Sequence, residues 1–249
     1  MMFDTHCHIH ESNYPLPVND VLQRAKGAGV NNLICVGTNV ESSEQAIEFA
    51  SKNEGVYASV GIHPHDTSSD SVSDLSRVTK GEFVAVGEIG LDYYYNHSPR
   101  EIQIKAFEQQ IELALKHDLP IIFHVRDAFD DFWPIIDNFG DRVRGVLHSF
   151  TDTANNAKEG MKRGYFIGVN GISVFSKDAK QQQMFAELPL EKLLLETDAP
   201  FLTPPPFRGK VNEPAFLGRI AEHHATIRQV SVEKVAQATT NNAKELFQL

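Results

Sequence analysis

The chain has 249 residues, 41% of them hydrophobic, and its 33 acidic against 23 basic side chains give a formal charge of −10. This length suits one (β/α)8 barrel, which takes about 250 residues, so residues 1–249 are expected to form a single domain. The acidic balance excludes a protein that attracts polyanions over its whole surface; no apolar run is long enough to span a bilayer, and MMFDTHCHIH has neither the basic nor the apolar region of a secretory signal. A soluble, cytoplasmic monomer is expected, with any nucleic-acid contact confined to one place.

In chain order, short runs rich in Val, Ile, Leu and Phe predict strands near 2–7, 32–37, 56–61, 83–88, 120–124, 144–148, 165–169 and 192–196. Between them, apolar residues at three- and four-residue spacing predict helices such as Asp20–Lys26, Ser43–Ser51, Arg100–Lys116 and Ala154–Arg163. Eight such alternations imply a closed parallel barrel, a TIM barrel of the α/β class. In Arg100–Lys116 the stripe Ile104, Phe107, Ile111 and Leu115 faces the core, and Ser98-Pro99 offers a cap and a first-turn proline. The segment from Ala199 to Pro214 carries five prolines and predicts a long, rigid loop over the barrel mouth. Two further helices, Ala215–Arg228 and Val232–Phe247, close the chain. Cys7 and Cys35 cannot build a disulfide framework and read as buried, reduced thiols, with Cys7 pointing into the strand–helix layer.

Six residues at the carboxyl ends of these runs carry chemistry: His6 and His8 in FDTHCH, Glu88 in VAVGEIGLD, His124 in IIFHVRD, His148 in GVLHSF and Asp198 in LLLETDAP. A parallel barrel gathers its active groups at that end of its strands, so these six should converge. Residues i and i+2 of a strand share a face, which turns both His6 and His8 inward. Buried carboxylates such as Glu88 and Asp198 demand a cation, a proton or a metal; salt bridges to arginines such as Arg126 are the competing explanation. With four histidines ending neighbouring strands, two divalent ions are the economical answer. The mixed imidazole and carboxylate set suits zinc, manganese, cobalt or nickel better than the all-oxygen octahedron that magnesium prefers, and does not choose the ion.

The motifs FDTHCH, GIHPHD, VGEIGLDYYY, IIFHVRDA, LHSF, LLLETDAPFLTP, RGKVNEP and NNAKELF, spread over nearly the whole chain, resemble those of the TatD-type metal-dependent deoxyribonucleases of the amidohydrolase-like barrels. The resemblance implies that His6, His8 and Asp198 hold one metal, that His124 and His148 hold the other, and that Glu88 bridges them. It further implies that Asp198 accepts a proton from an attacking water activated by both ions. The expected function is a deoxyribonuclease cleaving phosphodiester bonds, a 3′–5′ exonuclease on single-stranded DNA or RNA ends. Hydrolysis of a small amide, ester or lactone stays open, because paired ions polarise a carbonyl equally well. No ligand position is lost, which disfavours a non-catalytic scaffold.

Two ions against two carboxylates would leave the pocket with about two positive charges, enough to draw a phosphodiester. Arg126, two residues past His124, and His63 in GIHPHD could reach that phosphate, or His63 could support the metal carboxylates instead. Arg208 and Asn212, in the element resembling the family's RGxxNEP, would touch substrate or shape the loop. Tyr93, Tyr94 and Tyr95 could stack on an unpaired base or simply pack. His10 and His65 fall near the mouth outside the ligand set, whereas His117, His223 and His224 read as solvated helix histidines. After LHSF the family has a small residue and glycine, but this chain has Thr151-Asp152-Thr153. That departure is expected to reshape the pocket edge and to set Asp152 against a long polyanion.

Overall fold

The computed structural model describes residues 1–249. Strands β1 (Met2–Cys7), β2 (Val30–Val36), β3 (Val56–Val60), β4 (Ala85–Asp92), β5 (Ile121–Arg126), β6 (Gly145–Leu147), β7 (Phe166–Val169) and β8 (Leu193–Leu195) follow one another in a single parallel sheet of eight. Closure is made just beyond β8: His8 N–H donates to Ala199 O at 2.7 Å and Asp198 N–H to His6 O at 2.9 Å. The buried Asp4 carboxylate fastens the same seam by accepting from Thr197 N at 2.9 Å and Thr197 Oγ1 at 2.5 Å. Burial raises the Asp4 pKa to about 7.

Around the sheet lie α1 (Val18–Gly27), α2 (Val40–Lys52), α3 (Arg100–His117), α4 (Phe129–Phe139), α5 (Ala154–Lys162), α6 (Gly171–Phe175), α7 (Ala179–Glu187), α8 (Leu217–Arg228) and α9 (Val232–Phe247). The crossover from β3 to β4 has no α-helix and uses two short 3-10 turns, Pro64–Asp66 and Val72–Arg77. The predicted stripe of α3 does face the core, with Phe107 and Ile111 fully buried. Its predicted cap does not form: Pro99 occupies the N-cap, and Ser98 Oγ donates instead to His65 O at 2.9 Å.

Side chains alternate between two apolar layers, as a half-turned strand requires. Leu33, Cys35, Ala58, Phe123, Ile167 and Leu195 pack outward among the helices. Phe3, Ile34, Val36, Ala85, Ile122, Val146, Phe166 and Leu194 fill the barrel, whose floor is sealed by Leu246 and Phe247 of α9. Asn242 of α9 holds that plug by donating to Leu190 O and Leu193 O, both at 2.9 Å. The thiols of Cys7 and Cys35 are free and buried.

Strict alternation breaks where β1 and β4 approach the site. The register of β1 on β2 shifts between Asp4 and Cys7, and that of β4 on β5 shifts between Val86 and Ile89. An extra residue in a strand reverses the inward face beyond it. Phe3 and His6, three residues apart, therefore share the barrel interior, and so do Ala85 and Glu88. Glu88 consequently lies inside β4, which continues to Asp92, rather than at the strand's end as expected from sequence.

His224 on α8 is not solvated as expected but fully buried. Its Nε2 lies 3.0 Å from Ser173 Oγ, and its Nδ1 accepts from Arg228 at 2.8 Å. Both ring nitrogens are thus satisfied only in the neutral form, and burial with the Arg228 charge holds the pKa well below the ordinary 6.5. The unfolded chain takes up this proton below pH 6.5 while the folded chain resists it, so stability is full above pH 6.5 and falls as the pH drops beneath it. His224→Gln should lessen the loss of Tm between pH 7 and 5.5 by roughly 2–4 °C, the effect of about 1 kcal/mol at this size. Thermal melts across that range check it; curves parallel to wild type would refute the assignment.

Candidate metal centre

Strand alternation places the site. Ile122, His124 and Arg126 share the inner face of β5, His148 directly follows β6, whose Val146 faces inward, and Glu196 and Asp198 follow β8, whose Leu194 faces inward. His8, just past β1, Glu88 of β4, His63 after β3, His124, His148 and Asp198 line one cavity of about 670 Å³ together with Glu11, Arg126, Tyr95 and Phe201, and the fully buried His6 of β1 stands against Glu88.

Glu88 stands at the centre of the group. Its Oε2 faces His6 Nε2 at 3.2 Å, while its Oε1 faces His124 Nδ1 at 2.6 Å, His63 Nε2 at 3.5 Å and His148 Nε2 at 3.7 Å. Asp198 Oδ1 lies 3.5 Å from His8 Nε2, 3.7 Å from His6 Nε2 and 3.9 Å from His148 Nε2. The Nε2 atoms of His6 and His8 approach to 3.2 Å, and the rings of His6 and His148 stack with centroids 3.5 Å apart. Ligand atoms about 2.1 Å from one tetrahedral cation stand roughly 3.4 Å apart, so these spacings fit a divalent ion. Two of the donor groupings that the geometry closes are His6 with His8 and Asp198, and His63 with Glu88 and His124. All six expected ligand residues are brought together, and His63 joins them.

Two carboxylates that sequence reasoning missed complete the site. Asp92, fully buried, accepts from His124 Nε2 at 3.0 Å and from His65 Nε2 at 2.9 Å. Glu196, equally buried, accepts from His148 Nδ1 and from Ser149 N–H, both at 3.0 Å. Each grips the nitrogen of its imidazole that points away from Glu88, so each fixes ring orientation and tautomer. Glu196 also falls into a third donor grouping with His6 and His148, but its bond to the outer nitrogen of His148 makes it a holder of that ring. Room for its carboxylate comes from Gly168 on β7, where a Cβ would sit 2.1 Å from Glu196 Oε1. Both residues could have been found in sequence, since Glu196 precedes Asp198 by two and Asp92 follows Glu88 by four, spacings that keep one strand face.

The ionisation pattern follows from this crowding. Burial opposes a charge on His148 and His124, but Glu196 with Glu88 lifts the first to about 10, and Asp92 with Glu88 lifts the second to about 8. Burial pushes His63 down to about 4. Against their own burial, the hydrogen bond from His8 and the charge of His148 bring Asp198 to about 2, and the surrounding histidines, His148 first, hold Glu88 well below the carboxylate range. Such a donor set stabilises positive charge at its centre. With Asp92 and Glu196 counted, however, two divalent ions would be neutralised, so the excess positive charge expected for the pocket does not arise.

The remaining expected residues separate clearly. Arg126 lines the cavity and stacks over Tyr94 and Tyr95, with its carbon 4.1 and 4.8 Å from their ring centroids. It bridges neither Glu88 nor Asp198, whose neighbours are histidines. Arg208 lies outside the lining: it donates to Thr203 O at 2.9 Å and stacks on Phe175, which shapes the loop. Asn212 does likewise, donating to Thr197 O at 2.8 Å and to Phe201 O at 2.5 Å. Tyr93 packs, its hydroxyl donating to Asp131 at 2.7 Å. Asp152 is turned away from the cavity, accepting from Thr153 N–H and Asn156 Nδ2 at the start of α5, while Thr151 alone of that trio edges the pocket.

The family model described as TatD related DNase matches residues 3–248. YabD of Bacillus subtilis (strain 168), described as an uncharacterized metal-dependent hydrolase, is 38% identical over 254 positions that cover 100% of both chains. The protein of Cronobacter sakazakii named 3′-5′ ssDNA/RNA exonuclease TatD is 36% identical, covering 99% of this chain and 97% of its own. The crystal structure of YJJV, a TatD homolog from Escherichia coli K12, superposes with a TM-score of 0.90 at 32% identity, covering 100% of this chain and 98% of the other. No helix is long and apolar enough to cross a membrane.

Asp92→Asn should weaken zinc or manganese binding about 10- to 100-fold by releasing His124. Competition against a chromophoric chelator measures it, and undiminished affinity would remove Asp92 from this role.

Proposed function

The chain belongs to the TatD-related DNase family of metal-dependent hydrolases, and on that premise we propose that it is a 3′–5′ exonuclease trimming single-stranded ends of DNA or RNA. The observation that carries this reading is the division of Glu88, whose two oxygens face different sets of ring nitrogens. A pair of cations sharing one carboxylate suits in-line displacement at phosphorus. The name of the Cronobacter relative supports the same substrate class.

His6, His8 and Asp198 would hold one divalent ion, His124 and His148 the other, and Glu88 both. Zinc, magnesium or manganese, when bound there, would polarise the phosphodiester and activate a water. Asp198 touches three imidazoles and lines the cavity, so its carboxylate is placed to accept the proton that the attacking water loses. Arg126 presents its guanidinium to the same cavity and binds a non-bridging phosphate oxygen. His63 braces Glu88 from the far side and lies within reach of the substrate. Residues 1–249 act as one domain, and the donor set needs no side chain from a second copy, which favours a monomer. A mouth recessed within the barrel admits a strand end more readily than a duplex.

Metal-loaded protein should release mononucleotides from 5′-labelled single strands, shortening them from the 3′ end. Intact strands beside a cleaved amide, ester or lactone would replace this reading with hydrolysis of a small carbonyl compound. Asp198→Asn should keep appreciable metal, measured by elemental analysis, while kcat falls about 10²- to 10⁴-fold; near-normal turnover would deny it the proton. Arg126→Ala should raise KM roughly tenfold at unchanged metal content, and a collapse of metal content would make Arg126 structural.

A further inference from the structure

Large apolar side chains are exposed at only six positions: Met1, Tyr94, Tyr95, Ile102, Phe201 and Leu249. Three of these gather at the metal cavity. Phe201, 59% exposed, lines it beside His8, with ring centroids 6.4 Å apart. Tyr95, 52% exposed, lines it beside His65, at 5.4 Å, and Tyr94 adjoins Tyr95. The two lips thus flank different parts of the site, Phe201 the His6–His8–Asp198 side and Tyr95 the His124 side.

Neither lip is loose, and each is tied to a residue that also touches the metal site. Phe201 N–H donates to Asp198 O at 2.8 Å, and its carbonyl accepts from the fully buried Asn212. The amides of Tyr94 and Tyr95 donate to Asp92 Oδ1 at 3.0 and 2.9 Å, while Asp92 Oδ2 holds His124. Arg126, on the inner face of β5, stacks its flat guanidinium on both tyrosine rings. Planar surfaces held rigidly in water beside a hydrolytic centre call for a flat, uncharged ligand part. Charge cannot do that work, because the chain is acidic and the four carboxylates of the site, Glu88, Asp92, Glu196 and Asp198, offset two divalent ions.

We propose that Phe201 and the Tyr95–Arg126 stack form a clamp for the nucleobase flanking the scissile phosphate. This rests on the nuclease reading and adds to it a requirement: the preferred ends carry bases, taken without regard to sequence because every base offers a π-face. Abasic sugar-phosphate ends are poor substrates.

The test compares kcat/KM for a single strand with ordinary 3′ nucleotides and for one whose last two residues are abasic tetrahydrofuran. Wild type should prefer the base-bearing end by tenfold or more, a loss in line with base stacking. Phe201→Ala and Tyr95→Ala should bring that ratio towards one, mainly through KM, whereas F201Y should restore it. A general structural defect would lower both rates and leave the ratio intact. Equal cleavage of both ends by wild type overturns the clamp and spares the nuclease reading. A preference that survives both alanine variants also overturns it. Cleavage of neither strand overturns the nuclease reading, and the clamp falls with it.

Discussion

One buried carboxylate organises this molecule. Glu88 sits among imidazoles from β1, β5 and the segments that follow β3 and β6, with each of its oxygens turned to a different subset. A charge so deeply buried is sustained only by partners on all sides, and those partners exist only if the sheet closes. The fastening of β1 to the segment after β8, through Asp4, Thr197 and the main chain at His6 and Asp198, is therefore a condition of the chemistry as well as of the fold.

A second layer of charge governs the first. Asp92 and Glu196 take the outward nitrogens of His124 and His148, leaving the inward ones free for ligation. Asp92 also holds His65 and the backbone of the tyrosine lip, so ring orientation and pocket rim share one anchor. These carboxylates make the site a better host for cations and a weaker magnet for phosphate. Electrostatic attraction of an anionic substrate is therefore muted here.

The barrel is legible because hydrophobic runs recur eight times, and most candidate ligands are legible because they end those runs. Strands β5 and β8 obey simple alternation, so Ile122, His124 and Arg126, or Leu194 and Asp198, could be placed by counting in twos. In β1 and β4 the same count fails, since a register shift intervenes between the barrel filling and the ligand. The apolar run therefore places Glu88 at a strand end, whereas it lies inside β4. Asp92 and Glu196 escaped notice because nothing in a local motif distinguishes a residue that binds metal from one that steadies a ligand. The burial of His224 is illegible for a related reason: its hydrogen-bond partner Ser173 lies 51 positions away. Arg208 shows the reverse case, a motif residue whose reach ends within its own loop.

The plug formed by Leu246 and Phe247 bears on the order in which the chain can take shape. Strand β1 is synthesised before its lateral neighbour beyond β8 and before the stopper beneath it. Until then the apolar lining of a half-built cylinder faces water, with two unpaired edges. Biogenesis, rather than the finished state, is where this architecture is most exposed to aggregation.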